Sequence, residues 1–88
     1  MKVFEIVELG ETTHIAFDGS EYEALEWYIE DTMCDENEID SIEEIPQKEW
    51  KNIIVKFDEY GIEPFEVSVE ELIKGQKSNE VLCSTAYL

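Results

Sequence analysis

Apolar and polar side chains alternate from the first residues of the chain. Val3, Glu5 and Val7 fall on one side of an extended backbone and Phe4, Ile6 and Glu8 on the other, the period-two pattern of a strand. Leu9-Gly10-Glu11 turns the chain into Thr12-Thr13-His14-Ile15-Ala16-Phe17, which reads as a second strand. Phe17-Asp18-Gly19-Ser20 then feeds a helix. Ser20 with Glu23 is a capping box, in which the hydroxyl accepts the amide of residue 23 and the carboxylate accepts the amide of residue 20. Asp18, Glu21 and Glu23 sit where the helix dipole favours anions.

The helix is expected over about 21–33. At about 100° per residue, Tyr22, Leu25, Ile29 and Met33 form one apolar stripe, with Ala24 and Tyr28 on its flank. Glu23, Glu26, Glu30 and Asp31 hold the opposite face, and Trp27 falls in the middle of it.

Asp35-Glu36-Asn37-Glu38 has no apolar member and breaks the helix. Ile39–Ile45 reads as a strand, although its Ile spacing of three also permits a helical turn. Pro46 suits the first position of a short helical turn, Gln47–Trp50. Asn52–Phe57 is the clearest strand; Asp58-Glu59-Tyr60-Gly61 turns it, and Pro64–Val67 returns as its hairpin partner. Ser68 and Glu71 make a second capping box, opening a short helix over about 69–74 that Gly75 stops. Val81–Tyr87 forms the last strand. These elements predict a single α+β domain over residues 1–88, with an antiparallel or mixed sheet of five to six strands. The main helix should pack on one sheet face. The expected core comprises Phe4, Ile6, Ile15, Phe17, Leu25, Ile29, Ile54, Val55, Val67, Leu72 and Leu82.

Composition supports folding. A chain of 88 residues has room for one core, and 43% hydrophobic residues, with ten Ile and ten aromatics, separate it from disordered acidic sequences. No stretch of ten residues lacks a polar group, so neither a membrane span nor a secretory apolar segment is expected. A cytoplasmic location follows, with Cys34 and Cys83 as free thiols.

Charge changes the picture more. The net charge is −17, and between Val3 and Gln47 there are fifteen carboxylates and not one Lys or Arg. Such self-repulsion lowers stability, a cost that is intelligible if the acidic surface is the working part. Phosphate is repelled, so direct binding to DNA, RNA or anionic lipid is not expected, and basic proteins are the natural partners. A salt-adapted host is the bland source of such charge, but eighteen Glu to five Asp is a less even mixture than that origin predicts.

Catalytic patterns are weak. His14 is the sole imidazole and lies on an alternating strand; the spacing of Cys34, Cys83 or Ser84 suggests no nucleophile–base pair with it. Two cysteines so far apart do not make a zinc site. A calcium loop begun at Asp35 puts Ile39 at the fifth position, Asp40 where Gly is needed and Pro46 where the bidentate Glu belongs. No Gly-rich phosphate loop occurs. No enzyme activity, metal or cofactor is expected.

The acidic face remains. Glu26 and Glu30 are four apart on the helix, which brings their carboxylates to about 6 Å. Together with the acids of residues 35–44 they could present charge at phosphate-like separations to a DNA-binding protein. Two readings of Trp27 stand: an anchor that fills a partner's pocket amid carboxylates, or a side chain packed under a loop, the charges being merely a solvated face.

In size, charge and mixed layout the chain resembles the small acidic proteins that bacteriophages and mobile elements use to block host nucleic-acid enzymes. These include anti-restriction, anti-CRISPR and uracil-DNA glycosylase inhibitor proteins that mimic DNA. Asp40-Ser41-Ile42-Glu43-Glu44-Ile45-Pro46 is similar to the Glu-Ser-Ile strand followed by Pro in the glycosylase inhibitors. Asp40 replaces the Glu, the N-terminal hairpin is extra, and the similarity covers seven residues of 88. The resemblance implies a non-enzymatic inhibitor or adaptor that docks on a basic, nucleic-acid-binding protein. The expected contact comprises Glu23, Glu26, Trp27, Glu30 and Asp31 of the helix, then Asp35, Glu36, Glu38, Asp40, Glu43 and Glu44. The alternative is a structural or regulatory module without mimicry that self-associates through a sheet edge or an apolar patch.

Overall fold

The computed structural model describes residues 1–57, 65–74, 76 and 78–84. In chain order its elements are β1 (Lys2–Glu8), β2 (Glu11–Phe17), α1 (Glu21–Thr32), β3 (Ile39–Ile45), β4 (Ile54–Phe57), β5 (Phe65–Ser68), α2 (Val69–Ile73) and β6 (Glu80–Ser84). Short 3-10 turns occupy Glu36–Glu38 and Gln47–Asn52. The fold is α+β, and its six strands divide into two sheets: four strands in the order β3-β1-β2-β6, and the pair β4-β5. Every pairing is antiparallel.

β1 and β2 pair from Lys2 opposite Phe17 to Glu8 opposite Glu11. Leu9 and Gly10 join them, both at positive φ (49° and 81°), as a two-residue turn with the strands' right-handed twist requires. The alternation of β1 then sorts its side chains onto two different layers. Phe4 and Ile6, with Ile15 and Phe17 of β2, pack beneath α1. Val3 and Ala16, with Ile45 of β3, pack against Val55, Val69 and Ile73 from the β4–β5 pair and α2. The sheet is thus covered on both faces, each fully buried Val or Ile contributing about 1.5–3 kcal/mol. Trp50 closes the second layer by donating its Nε1–H to the Ile45 carbonyl at 3.0 Å, and Val69 N–H donates to the Ile53 carbonyl at 2.9 Å.

α1 begins where its capping box predicts. Glu23 N–H donates to Ser20 Oγ and Ser20 N–H donates to Glu23 Oε1, each at 3.2 Å. Its buried face is not the expected stripe. Ala24 and Tyr28 are the buried residues, and Trp27 packs beside them. Tyr22 is 70% and Met33 89% exposed, while Leu25 and Ile29 are half-buried and belong to neither core cluster. The bulk of the sheet face explains the roll. Phe4, Ile6, Ile15 and Phe17 are large, so a small residue, Ala24, meets them. Tyr28 can follow because its hydroxyl is satisfied: it donates to Glu8 Oε1 at 2.8 Å and lies 3.5 Å from Thr13 Oγ1.

Other expectations move by a few residues. The Gln47 turn runs to Asn52, so β4 starts at Ile54 rather than Asn52; Pro46 precedes the turn as its cap. Ile54 is 54% exposed, while Val67, Leu72 and Leu82 are half-buried. Ser68 does cap α2, accepting Glu71 N–H at 3.2 Å. The expected turn at Asp58–Gly61, the start of the next strand at Pro64, the stop at Gly75 and the strand end at Thr85–Tyr87 lie outside the described residues.

Candidate functional site

Three consecutive pieces hold the acids singled out above: α1, the segment that follows it, and β3. α1 and β3 are neighbours in space, Ile39 and Ile42 of β3 packing on the same cluster as Ala24 and Tyr28 of α1. Among the described residues none of the eleven expected contact residues forms a salt bridge with a Lys, and the Lys–carboxylate bridge present is Lys74–Glu71 at 3.9 Å.

Individual positions differ in what they can offer. Glu23 is committed to its cap, and the amide and hydroxyl of Ser20 hold its carboxyl below the ordinary value of 4.5. Asp35 likewise caps the turn after α1, its Oδ1 accepting Asn37 N–H at 2.9 Å. Glu26 and Glu30 are exposed on α1, and Asp31 is exposed in its last turn, where no basic residue offsets the negative helix end. The neighbouring Glu26 carboxylate, through hydrogen bonding to the phenol first and then through its charge, raises the Tyr22 pKa above its ordinary value, with smaller contributions from desolvation and from the charge of Glu36. Tyr22, Glu26 and Glu36 therefore share one electrostatic neighbourhood.

On β3 the acids divide. Glu44 stands opposite Phe4 and Glu43 opposite Glu5, so Glu44 shares the face on which α1 lies and Glu43 points to the other. Asp40 falls at a register shift, between Ser41 opposite Val7 and Ile39 opposite Glu8, the unpaired residue of a bulge. Glu36 is exposed and Glu38 half-buried; the Glu38 carbonyl accepts Leu9 N–H at 3.2 Å. Glu26, Glu30, Asp31 and Glu36 are thus exposed on or just after α1, Glu44 lies on the sheet face that α1 covers, and Glu43 lies on the other face.

Trp27 corrects the sequence reading most clearly. Its indole is half-buried and packs on Phe17, ring centroids 5.9 Å apart. The side chain serves the α1 layer and does not stand free among carboxylates. What sequence reasoning missed is the converse: Tyr22 and Met33, placed on the apolar stripe of the helix, are the exposed apolar groups of this region. The spacing Ala24, Trp27, Tyr28 was the available signal for the buried face.

His14 lies elsewhere. It is 9% exposed, its Nε2 is 3.2 Å from Glu5 Oε2 on the neighbouring strand, and it makes further interactions. Its backbone stands opposite Cys83 of β6. An open recess lined by Met1, Gln47, Trp50, Glu70, Ile73 and Lys74 does not include it. Cys34 is a half-buried free thiol beside the α1 core. Among the described residues no group of three His, Cys, Asp or Glu is arranged to hold a metal, and no helix is long and apolar enough to cross a membrane.

Comparison with protein-family models, with curated proteins and with solved structures finds no match for this chain.

Proposed function

We propose that this protein is a cytoplasmic, non-enzymatic acidic interaction protein that docks on a basic, nucleic-acid-binding protein and inhibits it by offering carboxylates in place of phosphates. The observation that carries the reading is the exposed carboxylate set on and beside α1, none of which forms a salt bridge with a Lys among the described residues. Glu30 and Asp31 at the negative end of α1 are the sharpest part of it. Acids placed against a helix dipole weaken the helix, and an incoming Lys or Arg would relieve both. The resemblance to phage and mobile-element inhibitors supports the same class of partner. The site consists of Glu26, Glu30, Asp31, Glu36, Asp40 and Glu44, with Glu38 at its border, Glu43 on the opposite sheet face and Glu23, Asp35 and Trp27 supporting the fold beneath.

Immobilised protein is exposed to cell extract and washed across a salt series, with duplex DNA as competitor. Basic nucleic-acid-binding proteins should be retained at low salt, released as salt rises and displaced by DNA. Captured proteins that are not basic, or that stay bound through high salt, would overturn the reading.

A second reading, self-association, draws on the exposed Tyr22 and Met33. Two strongly negative bodies repel, so self-association would strengthen with salt, the opposite trend from docking on a basic partner.

A further inference from the structure

The apolar stripe that the sequence marks on α1 belongs to neither core cluster among the described residues, exposed at its two ends and half-buried between them. Tyr22, Leu25, Ile29 and Met33 follow each other at three, four and four residues, spanning about 16 Å along the helix axis. The two ends are the most exposed, at 70% and 89%, and the two middle members lie outside both core clusters. Met33 is informative for a second reason. It ends α1 at φ 56°, a left-handed position where Gly is the usual residue and a side chain is strained. The chain carries a large, exposed thioether at that position.

What covers the stripe can be argued from its border. Residues 21–38 contain eight acids and no base, with Glu26 and Glu30 on α1 beside the stripe and Glu36 within electrostatic reach of Tyr22. A second copy would set these acids against themselves, and an anionic membrane or nucleic acid would be repelled equally. A polypeptide with apolar groups at helical spacing and Lys or Arg on either side meets both requirements. We infer that the exposed face of α1 receives an amphipathic basic helix of the partner, its apolar side on Tyr22, Leu25, Ile29 and Met33 and its cations on the flanking carboxylates. This rests on the acidic-docking reading and adds the shape of what docks.

Two labelled synthetic peptides of about 18 residues, long enough for the stripe, test it by fluorescence anisotropy. Both have the same Leu, Ala and Lys content; one places Leu along a single helical face and the other scatters it. The patterned peptide should bind at least about tenfold more tightly. Met33→Gly, which relieves the left-handed strain and so keeps the fold, and Tyr22→Ser should each erase most of that preference while leaving the scattered peptide unaffected. Equal binding of the two peptides, in wild type and variants alike, would overturn the inference and leave acidic docking standing. Failure of both peptides to bind at low salt would sink the two together. A dimer in sedimentation that Tyr22→Ser dissolves would assign the stripe to a second copy and overturn the basic helix.

Discussion

Trp27 of α1 lies against Phe17 at the end of β2, the rings tilted by 51° with centroids 5.9 Å apart. Phe17 in turn meets Phe4 edge-on at 6.5 Å and 72°, so the indole caps an aromatic row on the sheet. Trp27→Ala should cost about 2–3 kcal/mol in urea denaturation, less than a full core truncation because the ring is half exposed. Binding to a basic partner, measured on the folded fraction, should change little. Loss of binding at unchanged stability would restore the anchor role.

Tyr28 ties the same helix to β1. Burial comes first among the causes that push its pKa up to about 12; the Thr13 hydroxyl opposes this, and Glu8 adds to it. The folded state thus holds the phenolic proton more tightly than the unfolded chain. Stability from this group is fully present below about pH 10 and is lost as pH rises toward 12. Tyr28→Phe should cost about 1–2 kcal/mol at neutral pH and flatten the decline between pH 10 and 12. Parallel denaturation series of wild type and variant read this directly.

Leu9 occupies a left-handed turn position, φ 49°, and is 68% exposed. Asn-Gly is the preferred pair for such a turn. Leu9→Asn should therefore raise stability by about 0.5–1 kcal/mol, seen as a higher denaturation midpoint at unchanged slope. A loss would mean that the Leu side chain makes contacts that outweigh the backbone strain.

Net charge sets a fourth expectation. With −17 spread over 88 residues, repulsion should limit stability most at low ionic strength. Raising salt from about 0.01 M to about 0.15 M shortens the screening length from about 30 Å to about 8 Å. The thermal midpoint should rise across that range, in NaCl and KCl alike. A flat response would show that the acids are already compensated in the fold.

Local signals in the chain were strong where chemistry at one position decides the outcome. Ser20 and Glu23 set the start of α1, Ser68 that of α2, and the alternation of β1 and β2 their hairpin. Properties that depend on what lies opposite were not legible. The roll of α1 follows from the large residues beneath it, which select Ala24 and Tyr28 over the more apolar Leu25 and Ile29. Burial of Val3 and Ala16 requires the second layer of β4, β5 and α2, whose docking no single segment announces. For the candidate site, sequence located the acids, but only the strand register separates Glu43 from Glu44.

β3 bears on handling of the protein as well as on binding. Among the described residues it is the edge strand beside β1, with Ile39, Ile42 and Ile45 along it and Asp40, Glu43 and Glu44 exposed between them. Carboxylates on a sheet margin keep another chain from adding its own strand there. Once acid neutralises them, the same margin becomes an uncharged, isoleucine-bearing template, and stacking of chains into fibrils is the failure to expect on prolonged storage at low pH.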